Sequence, residues 1–209
     1  VYWLKNINEV ANLPSIFIAN EFFDALPVKQ FIKKNNIWFE KKIKKNNINK
    51  IEFIDVVTKI KKIEKKIGIK LSNNQKIIEF SPLAYKYLNN ISKKINGFKG
   101  GLLIIDYGYL EKKMKNTLQS VYKHKYNNIL NNISNSDITY DISFSLLKTI
   151  SKKFNLKVNG ITTQKIFLTK LGILHRAEIL SKNLEFSKKA DIYYRLKRLI
   201  DRNFMGELF

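Results

Sequence analysis

Two carboxylates and an amide crowd the segment Asn20-Glu21-Phe22-Phe23-Asp24, which directly follows the apolar run Ile16-Phe17-Ile18-Ala19. Carboxylates held among aromatic side chains are suited to binding a cation. Polar groups at the carboxyl end of a buried parallel strand are also where open α/β sheets place ligands. Asp106 and Tyr107 repeat the pattern after a second apolar run, Leu102-Leu103-Ile104-Ile105. Both runs have the length and composition of buried parallel strands. Pro27 limits any helix after Asp24 to about one turn. The competing reading of Glu21 and Asp24 is a plain turn in which the acids satisfy local backbone donors.

The elements that would position these groups alternate along the chain. Val28–Lys34, Ile37–Ile43 and Ile51–Val57 read as strands separated by the turn signals Asn35-Asn36 and Asn46-Asn47-Ile48-Asn49, which predicts a β-meander over 28–57 inserted after the first strand. Lys59–Lys66 is either a short helix or a loop. Ser81-Pro82 reads as an N-cap followed by proline at the first helical position, and Leu83, Tyr87, Leu88, Ile91 and Ile95 continue at helical spacing. Two apolar strands joined through a helix predict a parallel α/β sheet. Beyond them we expect a long surface loop to Ser136 that contains His124, then a helix over Ser143–Phe154 capped by Thr139 or Asp141. A strand at Lys157–Ile161, a helix after Thr163-Gln164 ended by Gly172, further helices through Ala177–Leu180 and Tyr193–Arg202, and a final strand at Met205–Phe209 complete the pattern.

Composition narrows the function classes. A chain of 209 residues with 44% hydrophobic content suits one globular domain. The absence of cysteine excludes disulfide frameworks, cysteine-based zinc sites and a cysteine nucleophile, and two histidines make a metal site unexpected. No apolar run reaches the ~18 residues of a membrane span. The net charge of +22 invites a nucleic-acid reading, but lysine supplies nearly all of it, interleaved with Asn and Ile throughout. Base composition of the gene accounts for that mixture. Specific nucleic-acid sites usually use arginine, which here occurs only at 176, 195, 198 and 202. No specific nucleic-acid partner is expected.

Five motifs occur in order: A-N-E-F-F-D-A-L-P-V-K-Q-F (19–31), G-G-L-L-I-I-D-Y-G-Y (100–109), D-I-T-Y-D-I-S-F (137–144), T-Q-K-I-F-L-T-K-L-G-I (163–173) and R-L-I-D-R-N-F-M-G-E-L-F (198–209). Together they resemble the MidA-like S-adenosylmethionine-dependent methyltransferases, whose mitochondrial members methylate a protein arginine during assembly of respiratory complex I. The resemblance implies a Rossmann-like class I methyltransferase sheet, S-adenosylmethionine as cofactor and an arginine of a complex I subunit as substrate. It implies the cytoplasm of a bacterium, or the mitochondrial matrix if the source is eukaryotic. The family's glycine-rich loop and the acid that holds the cofactor ribose do not occur here, and the chain begins with Val1. The expectation is therefore that residues 1–209 are the carboxyl-terminal portion of one methyltransferase domain, with Ile16–Ala19 and Leu102–Ile105 as its fourth and fifth strands. An apolar strand left bare in this way is an aggregation hazard, so the isolated chain is expected to be poorly soluble or partly folded.

The resemblance also distributes roles. Glu21 and Asp24 become the catalytic acids that fix and polarise a guanidinium, a group whose planar fork of donors a carboxylate accepts bidentately. Asn20 would meet the amino-acid moiety of the cofactor. Asp106, Tyr107, His124 and Gln164 would line the substrate cleft, with Gln164 alternatively a helix cap. Two other functions stay open: a non-catalytic assembly module of the same family, and a basic nucleic-acid binder.

Overall fold

Asn35 and Asn36 take left-handed φ values of 46° and 63°, the paired conformation a two-residue hairpin needs, and the meander follows from that turn. The structure is a computed structural model that describes residues 1–46 and 50–207. In chain order its strands are β1 (Ser15–Asn20), β2 (Lys29–Lys34), β3 (Ile37–Lys45), β4 (Ile51–Val57), β5 (Ile77–Phe80) and β6 (Gly100–Ile105). They continue as β7 (Gly108–Tyr109), β8 (Gln119–Tyr122), β9 (Lys125–Asn127), β10 (Asp137–Thr139) and β11 (Ile142–Ser143). The helices are α1 (Ile60–Ile67), α2 (Pro82–Phe98), α3 (Phe144–Lys153), α4 (Gln164–Lys170), α5 (Ile173–Ser181) and α6 (Phe186–Ile200). Two compact units result, Val1–Val158 and Asn159–Phe209.

In the first unit β1 and β6 pair in parallel from Ser15↔Gly100 to Asn20↔Ile105, as the two apolar runs require. α2 packs against both strands, capped by Ser81, whose hydroxyl accepts the Ala84 N–H, with Pro82 opening the helix. Gly100 has φ +130°, and a Cβ there would stand 1.9 Å from the Ser15 carbonyl, so only glycine lets β6 start beside β1. β2, β3, β4 and β5 form an antiparallel sheet in the order β4-β3-β2-β5. Three of its strands are the expected meander, and Ile77–Phe80 adds the fourth. The turn signal between β3 and β4 lies partly outside the described residues, at 47–49. Phe23, Phe31, Ile78, Phe80, Leu88, Ile142 and Ile150 anchor the core of this unit.

Four local expectations are corrected. β1 lacks the two buried faces its composition suggests, in keeping with a strand left bare: it pairs with β6 alone, Phe17 and Ala19 are half-buried, and Ile16 and Ile18 are 79% and 68% exposed. The stretch read as a long loop contains β8 and β9, which pair with each other and, through β8, with β10, and Lys123 and His124 take left-handed φ (48° and 62°) at the hairpin without the usual Asn or Gly. α3 is capped by Ser143, whose hydroxyl accepts the Leu146 N–H, rather than by Thr139 or Asp141. Residues 157–161 form no strand, since no strand among the described residues pairs with them.

The second unit is helical. Thr163 caps α4, and Gly172, at φ +82°, separates α4 from α5. α6 packs on both. Of the expected final strand, residues 205–207 form turns and 208–209 lie outside the described residues. No helix among the described residues is long and apolar enough to cross a membrane.

Candidate active site

The β1–β6 ladder runs one residue past the strands, the Glu21 N–H donating to the Ile105 carbonyl at 2.9 Å. There the chain turns. Glu21 takes φ +45°, a left-handed conformation that costs a non-glycine residue of order 1–3 kcal/mol and tends to survive where surrounding structure enforces it. Its side chain is exposed. Phe22 follows, 36% exposed, and stacks edge-on against Phe23 (centroids 5.3 Å apart) and Tyr87 of α2 (5.1 Å). The expected grouping of an acid with aromatics is thus present around Glu21.

Asp24 and Asp106 sit deeper, 6% and 1% exposed. Asp106 Oδ2 accepts the Phe23 N–H (2.9 Å) and the Asp24 N–H (3.3 Å), and Oδ1 accepts the N–H of Tyr107 (3.1 Å). Burial raises the Asp106 carboxyl to a pKa of about 7, with the neighbouring Asp24 charge adding to the rise against the three amides. Asp24 is raised too, by burial first and partly by Glu21, although the amides of Ala25 and Asp24 oppose it. Tyr107, half-buried, is raised by burial and then by the charges of Glu21, Asp24 and Asp106. Residues Asn20 to Asp24 and Asp106 to Tyr107 therefore form one cluster at the carboxyl ends of two paired parallel strands. Asn20 is exposed on the same strand face as Ile16 and Ile18.

The other expected residues belong to other elements. His124 is exposed at the β8–β9 turn. Gln164 opens α4 in the second unit, where its side-chain amide donates to the Leu199 carbonyl at 2.9 Å, a cap-like use.

Sequence reasoning missed three supporting groups. Tyr140, 6% exposed, donates its N–H to the Asp24 carbonyl (3.2 Å), and its hydroxyl, which bonds Ser81, is raised in pKa mainly by burial. Gly108 starts β7 where any Cβ would meet the Ile142 carbonyl at 2.3 Å, so β11 can approach and the Ile142 N–H can reach the Tyr107 carbonyl (2.8 Å). Glu79, buried in β5, accepts from Gln30 Nε2 (2.7 Å), Thr117 N (3.0 Å), Thr117 Oγ1 (2.5 Å) and Leu118 N (3.1 Å). The one available signal was Glu79 itself, an acid inside the apolar run Ile77-Ile78-Glu79-Phe80.

Comparison with known proteins bears on this geometry directly. A family described as S-adenosyl-L-methionine-dependent methyltransferase matches residues 1–162. The mitochondrial protein arginine methyltransferase NDUFAF7 homolog of Caenorhabditis elegans is 30% identical over 84% of this chain and 42% of its own length. The mitochondrial protein arginine methyltransferase NDUFAF7 of Danio rerio is 29% identical over the whole chain and 49% of its own length. The chain thus spans about half the length of the curated relatives it matches. A Burkholderia thailandensis protein crystallised with S-adenosyl-homocysteine superposes on 99% of the chain and 54% of its own, with a TM-score of 0.78 at 19% identity, which shows a shared fold. The α/β architecture expected from the two apolar runs is the architecture of that structure, and with the family match over three-quarters of its residues the chain belongs to the S-adenosyl-L-methionine-dependent methyltransferase family.

Proposed function

We propose that this chain carries the substrate-recognition part of an S-adenosylmethionine-dependent protein arginine methyltransferase acting in assembly of respiratory complex I. The observation that carries the reading is the exposed Glu21 carboxylate, set in a left-handed turn at the carboxyl end of a parallel strand and flanked by Phe22. A carboxylate fixed there accepts two guanidinium N–H groups in parallel and leaves the third nitrogen directed outward. Phe22 adds a partly exposed aromatic beside the carboxylate, against which a guanidinium can lie. The names of the relatives agree with an arginine substrate and a mitochondrial setting for the eukaryotic proteins.

The cofactor supplies an activated methyl group when bound. Of the residues present, Asn20 fits it best: its exposed side-chain amide offers both donor and acceptor to an amino-acid moiety at the strand end. The glycine-rich loop that cradles the rest is not encoded in these 209 residues. What this chain contributes is orientation: Glu21 holds the target nitrogen in line, and proximity lowers the barrier. Tyr107, His124 and Gln164 remain candidates for contact with the substrate protein. A respiratory setting places the reaction in the mitochondrial matrix of a eukaryote or the cytoplasm of a bacterium.

The test is transfer of labelled methyl from S-adenosylmethionine to arginine in purified complex I subunits, by this chain mixed with the amino-terminal half of a family member. Methyl transfer that Glu21→Gln lowers about 100-fold is the expected result. Transfer indifferent to Glu21→Gln sinks the clamp, and subunit binding without any transfer would instead identify a non-catalytic assembly module.

A further inference from the structure

Asp106 is too thoroughly engaged to serve as a substrate contact: it is buried, and its two oxygens accept three backbone amides. Two of those amides, Phe23 and Asp24, belong to the turn that presents Glu21, so the turn is tied to the end of β6 through this carboxyl. A second tie closes the same turn from the far side, where the Tyr140 N–H reaches the Asp24 carbonyl. Beside Asp106 lies Asp24, whose carboxyl is within hydrogen-bonding reach of it. Asp24 Oδ1 is buried and has no N–H or O–H donor among the described residues.

Two carboxyl groups in such contact repel when both are ionised and bond when one proton lies between them. A proton held between Asp24 and Asp106 gives the Asp24 carboxyl a donor from its neighbour. We propose that Asp106 is a positioning residue for Glu21: bridged to the Asp24 carboxyl, it pins the backbone of the Glu21–Asp24 turn and so maintains the left-handed geometry that holds the Glu21 carboxylate outward. This rests on the guanidinium reading of Glu21 for its functional meaning, but not for its geometry. The titratable groups that face the pair are the acids Glu21 and Asp141, whose negative charge disfavours a second charge there, and the phenols of Tyr107 and Tyr140, held neutral by burial. The raised position of both acids agrees with one shared proton.

The arrangement makes the turn sensitive to pH. While the pair holds its proton, the bridge is intact. When the proton is lost, two buried carboxylates face each other, and the turn can relieve them only by moving Asp24 away from Asp106. Glu21 moves with it.

The experiment is a carbon-13 NMR titration of the full chain labelled at aspartate carboxyls, followed together with the amide signals of Glu21, Phe23 and Asp24, with and without N-acetyl-argininamide. The expected result is one upper step near neutrality reported by both Asp24 and Asp106, tracked by the three amides and by a loss of several-fold in N-acetyl-argininamide affinity above it. Asp24→Asn should leave Asp106 with a single step below the wild-type upper step, still raised by burial, and flatten the pH dependence of that affinity. Independent steps in the ordinary aspartate range, or turn amides blind to the upper step, would overturn the proposal. The wild-type titration decides this even if a variant fails to fold. A shared step tracked by the amides with no N-acetyl-argininamide binding supports the positioning pair and counts against the guanidinium clamp alone.

Discussion

Two strand ends in this protein begin from the same sequence pattern and finish in opposite states. β1 and β6 are both apolar runs followed at once by an acid, and they lie side by side in parallel. At the end of β1 the acid is Glu21, exposed in a strained backbone conformation. At the end of β6 the acid is Asp106, 1% exposed and saturated by backbone amides. One carboxylate is offered to solvent and the other is consumed in holding it there. The difference in side-chain length agrees with the division: the short aspartate folds back onto neighbouring amides, whereas the longer glutamate extends past them. A pattern of strand-then-acid thus marks a strand end without saying which acid is left exposed.

The sharpest way to break the comparison is to remove the consumed acid. Asp106→Ala leaves the amides of Phe23 and Asp24 buried without acceptors and removes the proton-sharing partner of Asp24. Urea unfolding should show a loss of about 3 kcal/mol, the sum of stranded buried donors less the relief of carboxylate repulsion. Glu21→Ala, by contrast, should stay within about 0.5 kcal/mol of wild type, as an exposed side chain with no buried partner does. Equal losses at the two sites would mean that the strand ends do not divide the work as described.

The next effect is a pH dependence with a definite sign. The Asp106 carboxyl is raised in the folded state from the ordinary aspartate value to about 7, and Asp24 and Asp141 are raised in the same direction, all chiefly by burial. Below about pH 4 these groups are protonated in both folded and unfolded chains and the folded state bears no penalty. As the pH rises toward 7 the unfolded chain releases its protons first, so stability falls across that window. Urea midpoints measured from pH 5 to 8 should decline for wild type and decline less for Asp106→Asn. A variant slope as steep as the wild-type slope would assign the dependence to other groups.

The division between the two acids was not legible in the sequence, although much around it was. The meander announced itself through apolar runs separated by Asn35-Asn36, because two asparagines can take the left-handed conformations a tight hairpin requires. Ser81-Pro82 announced α2 for an equally local reason, a hydroxyl and a ring that fit the first turn. The β8–β9 hairpin gave no such warning: Lys123 and His124 are poor candidates for left-handed φ, and pairing along the strands imposes it on them. The strand expected at 157–161 failed for the complementary reason, since an extended segment becomes a strand only when another lies beside it. Burial was the least legible quantity. Asp106 is the clearest case, an aspartate enclosed because the turn after β1 folds over the end of β6, whereas the exposure of Ile16 follows from the expected bareness of its strand.

The smallest expected effect tests the exposed strand end alone, and its sign matters more than its size. Glycine adopts φ +45° without the Cβ penalty that Glu21 bears, so Glu21→Gly removes strain from the folded turn. It also makes the unfolded chain more flexible, which offsets part of the gain. The net expectation is a stabilisation of about 0.5 kcal/mol, read as a higher urea midpoint at unchanged slope. The same variant should lose binding of N-acetyl-argininamide, since the carboxylate is gone. Stability gained while recognition is lost is the signature of a residue retained for its chemistry against its backbone preference. A Glu21→Gly chain that is less stable than wild type would instead show that the side chain packs to hold the turn, and the two strand ends would then be alike in supporting structure.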